Sequence, residues 1–222
     1  MIRVFRNPHF LCALVMLAGS LPVFGGSIVT FSGAFTHDDD QFRVLFTILN
    51  SGNVSVQTWS YAGGTDALGN VVSEGGFAPV VSLFDADGNL LLFDQGGIAP
   101  NACGPRNTET NGLCLDGYMS ELLNAGEYQL ILTQQDNLPN GPTLLDGFIR
   151  DGQGDFTGPS FLGIPGSFID PALNQRSANF YLTIDSVDSA SPTPEPSTAI
   201  LFIAGAFVTT AGMRRLRARY AK

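Results

Sequence analysis

Lysine is all but missing from these 222 residues; the single one is Lys222, at the last position. Histidine is nearly as scarce, with His9 near the start and His37 the only one beyond it. Schiff-base chemistry, lysine general bases and Walker phosphate sites therefore have no residue to rest on in the body of the chain. A serine triad would have to pass through His37, which stands beside three aspartates in what reads as a turn, and no Gly-x-Ser-x-Gly elbow occurs. Positive charge is short as well. From Ser27 to Pro192 the cations are Arg43, Arg106, Arg150 and Arg176 against nineteen Asp and Glu, a formal −15 where the whole chain carries −9. Nothing there can take the place of phosphate counterions, which excludes nucleic acid as a partner. Long amphipathic helical patterns and repeats of solenoid period are absent too.

The two ends carry the clearest patterns. Arg3 and Arg6, the apolar run from Phe10 to Gly19 and the small residues Gly25 and Gly26 have the order of a secretory signal peptide, assigned to residues 1–26 and to signal peptidase. At the other end, Pro192-Thr193-Pro194-Glu195-Pro196 leads into an uncharged stretch that stops at Arg214, Arg215, Arg217 and Arg219. The 17 residues from Ser197 to Met213 carry no charge. As a helix they reach about 25 Å, enough to cross a bilayer core when Arg214 and Arg215 extend their stems to the phosphate layer. Arginine is costly to translocate, so residues 214–222 should form a cytoplasmic tail, 199–213 a transmembrane helix and 191–198 an extended linker outside.

Pro194, Glu195 and Pro196, followed by the apolar segment and the Arg cluster, resemble the PEP-CTERM sorting signal of exported bacterial proteins. The resemblance spans about thirty residues with all parts in order. It implies recognition by an exosortase, a membrane cysteine transpeptidase of Gram-negative species that make extracellular polysaccharide. The chain would be held briefly in the inner membrane and then passed to the envelope surface or the outside. The competing reading is an ordinary single-pass anchor.

With Cys12 inside the signal peptide, Cys103 and Cys114 remain for an oxidising compartment, where an even pair is most simply a disulfide. Closing so short a loop contributes about 2–3 kcal/mol. The alternative, a metal site of both thiolates with His37, lacks a fourth ligand.

Residues 27–190 are long enough for one domain with a proper core. Its strand signals are period-two. Phe42, Val44, Phe46 and Ile48 alternate with Arg43, Leu45 and Thr47, and Val54, Val56 and Thr58 do so after the turn Asn50-Ser51-Gly52-Asn53. Val80–Phe84 and Leu90–Phe93 flank Asp85-Ala86-Asp87-Gly88-Asn89, where Asp-Gly between apolar runs signals a hairpin. Tyr118–Leu123 reads as extended or briefly helical, Glu127–Gln134 and Ala178–Val187 as strands. Residues 136–171 are a Gly- and Pro-rich excursion pinned to the surface by Phe148, Phe156, Phe161 and Phe168. The fold class expected is all-β, an antiparallel β-sandwich of jelly-roll or related type, with a signal helix before it and a transmembrane sorting helix behind. The runs Gly33-x-Phe35, Asp38-Asp39-Asp40-x-Phe42, Leu83-Phe84-Asp85-x-x-Gly88 and Leu123-x-Ala125-Gly126-x-Tyr128-x-Leu130 resemble the bacterial pre-peptidase C-terminal type of β-sandwich. Some members of that type bind Ca²⁺ or assist with matrix polymers.

No cofactor is required by any motif. Ca²⁺ is the one metal the acids suggest, through Asp38, Asp39 and Asp40 or through Asp85 and Asp87 in their calcium-loop-like run. Against this, Asp38–Asp40 read as a solvated turn that protects a sheet edge, and Asp85–Asn89 lacks the EF-hand's closing Glu. Trp59 and Tyr61, two apart, suggest either an aromatic platform for sugar rings or ordinary packing. The functional expectation is a non-enzymatic cell-surface or matrix protein with a structural, adhesive role toward exopolysaccharide. Its alternatives are a calcium-assisted carbohydrate-binding module and, third, a secreted hydrolase. If both ends are processing signals, mass spectrometry of the exported product will show neither residues 1–25 nor Arg214–Lys222; a soluble cytosolic pool retaining Arg214–Lys222 overturns the sorting reading.

Overall fold

The computed structural model describes residues 26–98, 103–109 and 112–193. The signal peptide, Pro194-Glu195-Pro196, the apolar segment 199–213 and Arg214, Arg215, Arg217 and Arg219 lie outside those residues. Among the described residues no helix is long and apolar enough to cross a membrane. The chain runs through β1 (Ser27–Ala34), β2 (Phe42–Ile48) and β3 (Gly52–Thr58), then a small ribbon of β4 (Gly64–Thr65) and β5 (Val71–Val72). It continues through β6 (Pro79–Asp85) and β7 (Leu90–Asp94), a second ribbon of β8 (Gly97–Ile98) and β9 (Leu113–Cys114), then β10 (Tyr118–Leu123) and β11 (Gly126–Gln134). After a long excursion with short helical turns at Leu144–Asp146 and Gly158–Leu162 come β12 (Asn179–Val187) and β13 (Ser189–Thr193).

The strands form a β-sandwich. One sheet has the order β1-β12-β3-β10, the other β13-β2-β11-β6-β7. Alternation dictates the core: Val44, Phe46 and Ile48 of β2 and Leu130 and Leu132 of β11 meet Val54 and Val56 of β3, Met119 of β10, and Leu182 and Ile184 of β12 in one cluster. Tyr118–Leu123 is a strand throughout, paired with β3 from Tyr118↔Gln57 to Leu123↔Gly52. A chain of phenylalanines links loops to both sheets, with ring centroids 4.8 Å apart for Phe35–Phe77 and for Phe42–Phe180, and 5.8 Å for Phe77–Phe168.

β6 breaks the alternation, for Pro79 to Phe84 are buried on both faces. The reason is the excursion, which covers the outer side of β6 and its neighbour β11: Phe148 packs on Phe84 and Ile131, with Leu90 and Leu144 at the margin. The four phenylalanines expected to pin the excursion do different things. Phe148 and Phe156 are buried under it, Phe161 is half-buried, and Phe168 enters the core between the sheets.

The sandwich also extends past the boundary drawn at 190. Ser191, Pro192 and Thr193, assigned above to the linker, are strand residues of β13 paired with Leu45, Val44 and Arg43 of β2. Proline is tolerated there because β13 is an edge strand, where a missing N–H breaks no central ladder. The roof over β6 gives a stability test. Phe148→Ala should cost about 3–5 kcal/mol, read from the urea midpoint, whereas truncating its exposed neighbour Leu145 should change stability by under about 0.5 kcal/mol.

Candidate functional site

Three of the aspartates singled out by the sequence are anchors. Asp38 is fully buried; it accepts the Thr157 N–H (2.7 Å) and hydroxyl (2.6 Å) and the Phe168 N–H (2.6 Å), so it ties the two ends of a loop to the β1–β2 connection. Asp39 accepts the Gly154 N–H, and Asp40 folds back on the N–H groups of Thr36 and His37. This corrects the solvated-turn reading for Asp38, whose oxygens face peptide donors and not water. His37 lies 3.3 Å from Asp155 at the surface.

Asp85 closes the β6–β7 hairpin. It accepts N–H groups from Asp87 and Asn89 and the Asn89 side-chain amide, while Gly88 takes the positive φ (82°) that the turn needs. Asp87 is exposed at the tip. The same device occurs twice more, at Asp66–Asn70 and Asp170–Asn174. In each, the Asp carboxylate holds the N–H two and four residues on and the Asn amide. The repeated Asp-x-x-Gly-Asn at 66 and 85 would have announced two of them; the third is hidden because Leu173 occupies the positive-φ position (66°). Among the described residues, no three His, Cys, Asp or Glu side chains are grouped so as to hold a metal ion.

Cys103 and Cys114 are bonded, with Cα atoms 5.5 Å apart. Side chains of the loop they close dock it to the sandwich. Arg106 pairs with Asp94 and donates to the Tyr118 carbonyl, Asn107 donates to the Gly63 carbonyl, and Glu109 pairs with Arg176 at 2.7 Å. Arg176 lies 3.8 Å above the Tyr61 ring and bonds Asp170 (2.8 Å), which also accepts the Tyr61 hydroxyl (3.0 Å). Tyr61 is therefore wholly buried, not half of an aromatic platform, because β3 ends at Thr58 and the chain turns inward before it. Beside it, buried Asp116 accepts the N–H groups of Tyr61 and Ala62 and the Thr58 hydroxyl.

Trp59 finds a different partner. Its N–H meets the Tyr181 carbonyl, and with Thr58 and Leu182 buried, Trp59 and Tyr181 stand side by side on the outer face of the four-stranded sheet. Both rings are held by their polar ends. The indole N–H donates to the Thr183 hydroxyl (3.2 Å), and the Tyr181 hydroxyl donates to Asp66 (2.8 Å) while accepting from Asn70. Register continues this row with Ser32, and sets Thr30, Thr183, Gln57 and Tyr118 in the next. The result is a half-exposed face of locked aromatic rings, hydroxyls and amides. A cleft of about 200 Å³ adjoins Tyr181, lined also by Ser60, Ser73, Glu74 and Asn179. A wider groove of about 480 Å³ opens between β7 and β10, with Leu91, Leu92 and Leu122 along it and Glu121 at its rim.

Comparison with known proteins adds little. No family model and no curated protein matches the chain. Among solved structures it is similar to the 1.0 Å crystal structure of the pre-peptidase C-terminal domain of collagenase from Bacillus anthracis, with 10% identity over 72% of this chain and 90% of that one, at a TM-score of 0.35. The sandwich assignment rests on the strand pairing itself.

The electrostatics divide the buried acids into two groups. Desolvation raises Asp116 above the usual carboxylate range in spite of its three donors, and raises Asp38 in the same way. Asp170 is also desolvated, but the Asn174 N–H, Arg176 and the Tyr61 hydroxyl outweigh that and lower it. A raised Asp binds more protons folded than unfolded, so its contribution is fully present below the ordinary value near 4 and declines as pH rises through the raised one; a lowered Asp contributes above that value and is lost on acidification. Asp116→Ala, which strands three buried donors, should cost about 3 kcal/mol at neutral pH. Asp170→Asn should make stability fall less steeply as pH drops below about 4, measured by urea titration at each pH.

Proposed function

We propose that this chain is an exported cell-surface or extracellular-matrix protein, processed by an exosortase through Pro194-Glu195-Pro196, whose sandwich domain, of pre-peptidase C-terminal type, has a structural and adhesive role toward exopolysaccharide. The observation that carries the reading is the outer face of the four-stranded sheet. Sugar rings are recognised by flat apolar surfaces bordered by hydroxyl and amide groups, and rings fixed before contact lose little entropy on binding. Trp59 and Tyr181 are fixed in this way, and Thr30, Ser32 and Gln57 border them. Disulfide closure of the 103–114 loop and the buried cross-braces favour a domain that endures outside the cell.

Trp59 is the one tryptophan in the chain, so its emission reports on the face directly. Soluble glucan, xylan and galactomannan, added in turn to the exported protein, should include at least one that shifts Trp59 emission in a saturable way. Tyr181→Ala should weaken that binding at least about tenfold, equivalent to 1.4 kcal/mol, with the fold retained. Repeating the titration with a chelator separates this reading from the calcium-assisted one, in which affinity collapses when Ca²⁺ is removed. No response to any of the polysaccharides would falsify the adhesive role.

A further inference from the structure

A sandwich of two open sheets has four outer edges, and an exposed edge pairs with other chains unless something prevents it. Here the edges belong to β13, β7, β10 and β1. Three carry a protective feature. β13 is five residues long and contains Pro192. β7 is also five residues long and ends in Asp94. β10 places Glu121 in mid-strand. β1 is the longest of the four, eight residues reading Ser-Ile-Val-Thr-Phe-Ser-Gly-Ala, without charge or proline. Among the described residues its one ladder partner is β12, so its other side offers free peptide groups.

We infer that β1 pairs antiparallel with β1 of a second copy, forming a two-fold dimer with one continuous sheet across both chains. The second copy is the occupant that fits because the strand laid against β1 must bring neither charge nor proline to the contact, and of the domain's four edge strands β1 alone is free of both. Self-pairing is also the closed, isologous arrangement that a lone edge permits. Two antiparallel edge strands are related by a two-fold axis perpendicular to the sheet. Such an axis keeps like faces together, so Thr30, which pairs with Thr183 on the outer face, meets Thr30 or Ser32 of the second copy. Two four-stranded sheets become one of eight strands, and the two Trp59–Tyr181 faces lie on the same side.

That geometry deepens the adhesive reading and rests on it for its purpose, though not for its formation. One dimer would hold two polysaccharide segments at once, and bivalent contact raises avidity without new contacts. The formal −15 on each domain opposes the approach, so pairing strengthens as salt screens it.

Sedimentation equilibrium of the exported protein tests the edge. The wild type should dimerise, and at least about tenfold more weakly near 0.02 M than near 0.3 M salt. Thr30→Lys and Thr30→Glu should each be monomeric with thermal melting close to wild type, and mixing the two should restore the dimer by placing opposite charges across the axis. A misfolded variant could not be rescued in that way. A wild type that stays monomeric at both salts, or single variants that dimerise as well as it does, overturns the pairing. Dimerisation without any polysaccharide response leaves the pairing standing and removes the adhesive role, whereas a monomer that still binds removes the pairing alone.

Discussion

Carboxylate oxygens do in this domain what secondary structure does elsewhere, because long loops without helix or ladder must still satisfy their peptide N–H groups once they are buried. Asp38, Asp116 and Asp170 are each buried, and each accepts two backbone N–H groups from a loop, together with a Thr or Tyr hydroxyl or a side-chain amide. The excursion after β11 can therefore roof β6 and send Phe168 into the core. Removing such a carboxylate leaves several donors unpaired at once, a larger penalty than the loss of one exposed contact.

The scarcity of cations follows the same logic. Arg106 and Arg176 are nearly buried, bridging the disulfide loop to Asp94 and to Asp170, while Arg150 clasps Asp136 and lies over Phe156. Arg43 reaches Gln41, which in turn holds Asp151. Guanidinium suits these posts because its planar fork bonds a carboxylate while its face stacks on an aromatic ring, which an ammonium group does less well. With its arginines turned to internal bracing, the domain presents a surface dominated by acid, and a ligand held there must be uncharged or cationic in character.

The two sheets have different outer faces. One is covered by the excursion over Phe84 and Ile131, so its strand β6 is buried on both sides. The other keeps Trp59, Tyr181 and Ser32 at its surface, with the first ribbon and the disulfide loop as a border. The loop cross-braces hold that border in place.

Much of the sandwich was legible because alternation over Phe42–Ile48, Gly52–Thr58 and Gly126–Gln134 is a local property, as is the Asp-Gly turn at 87–88. The aromatic face was half legible. Trp59 stood out, but pairing it with Tyr61 assumed that the strand ran on, and its true neighbour, Tyr181, is 122 residues away in sequence. Asp38 looked like solvent-exposed charge because nothing local signals that Thr157 and Phe168 will close over it. By itself the sequence determined the strand class, the acidic excess and the single cysteine pair, since composition and period-two patterning need no long-range partner. Which carboxylates are buried, which aromatics share a face and which edge is left bare were decided only by tertiary structure, because each depends on residues far apart in the chain meeting in space, as Asp116 meets Tyr61, Asp38 meets Thr157 and Trp59 meets Tyr181.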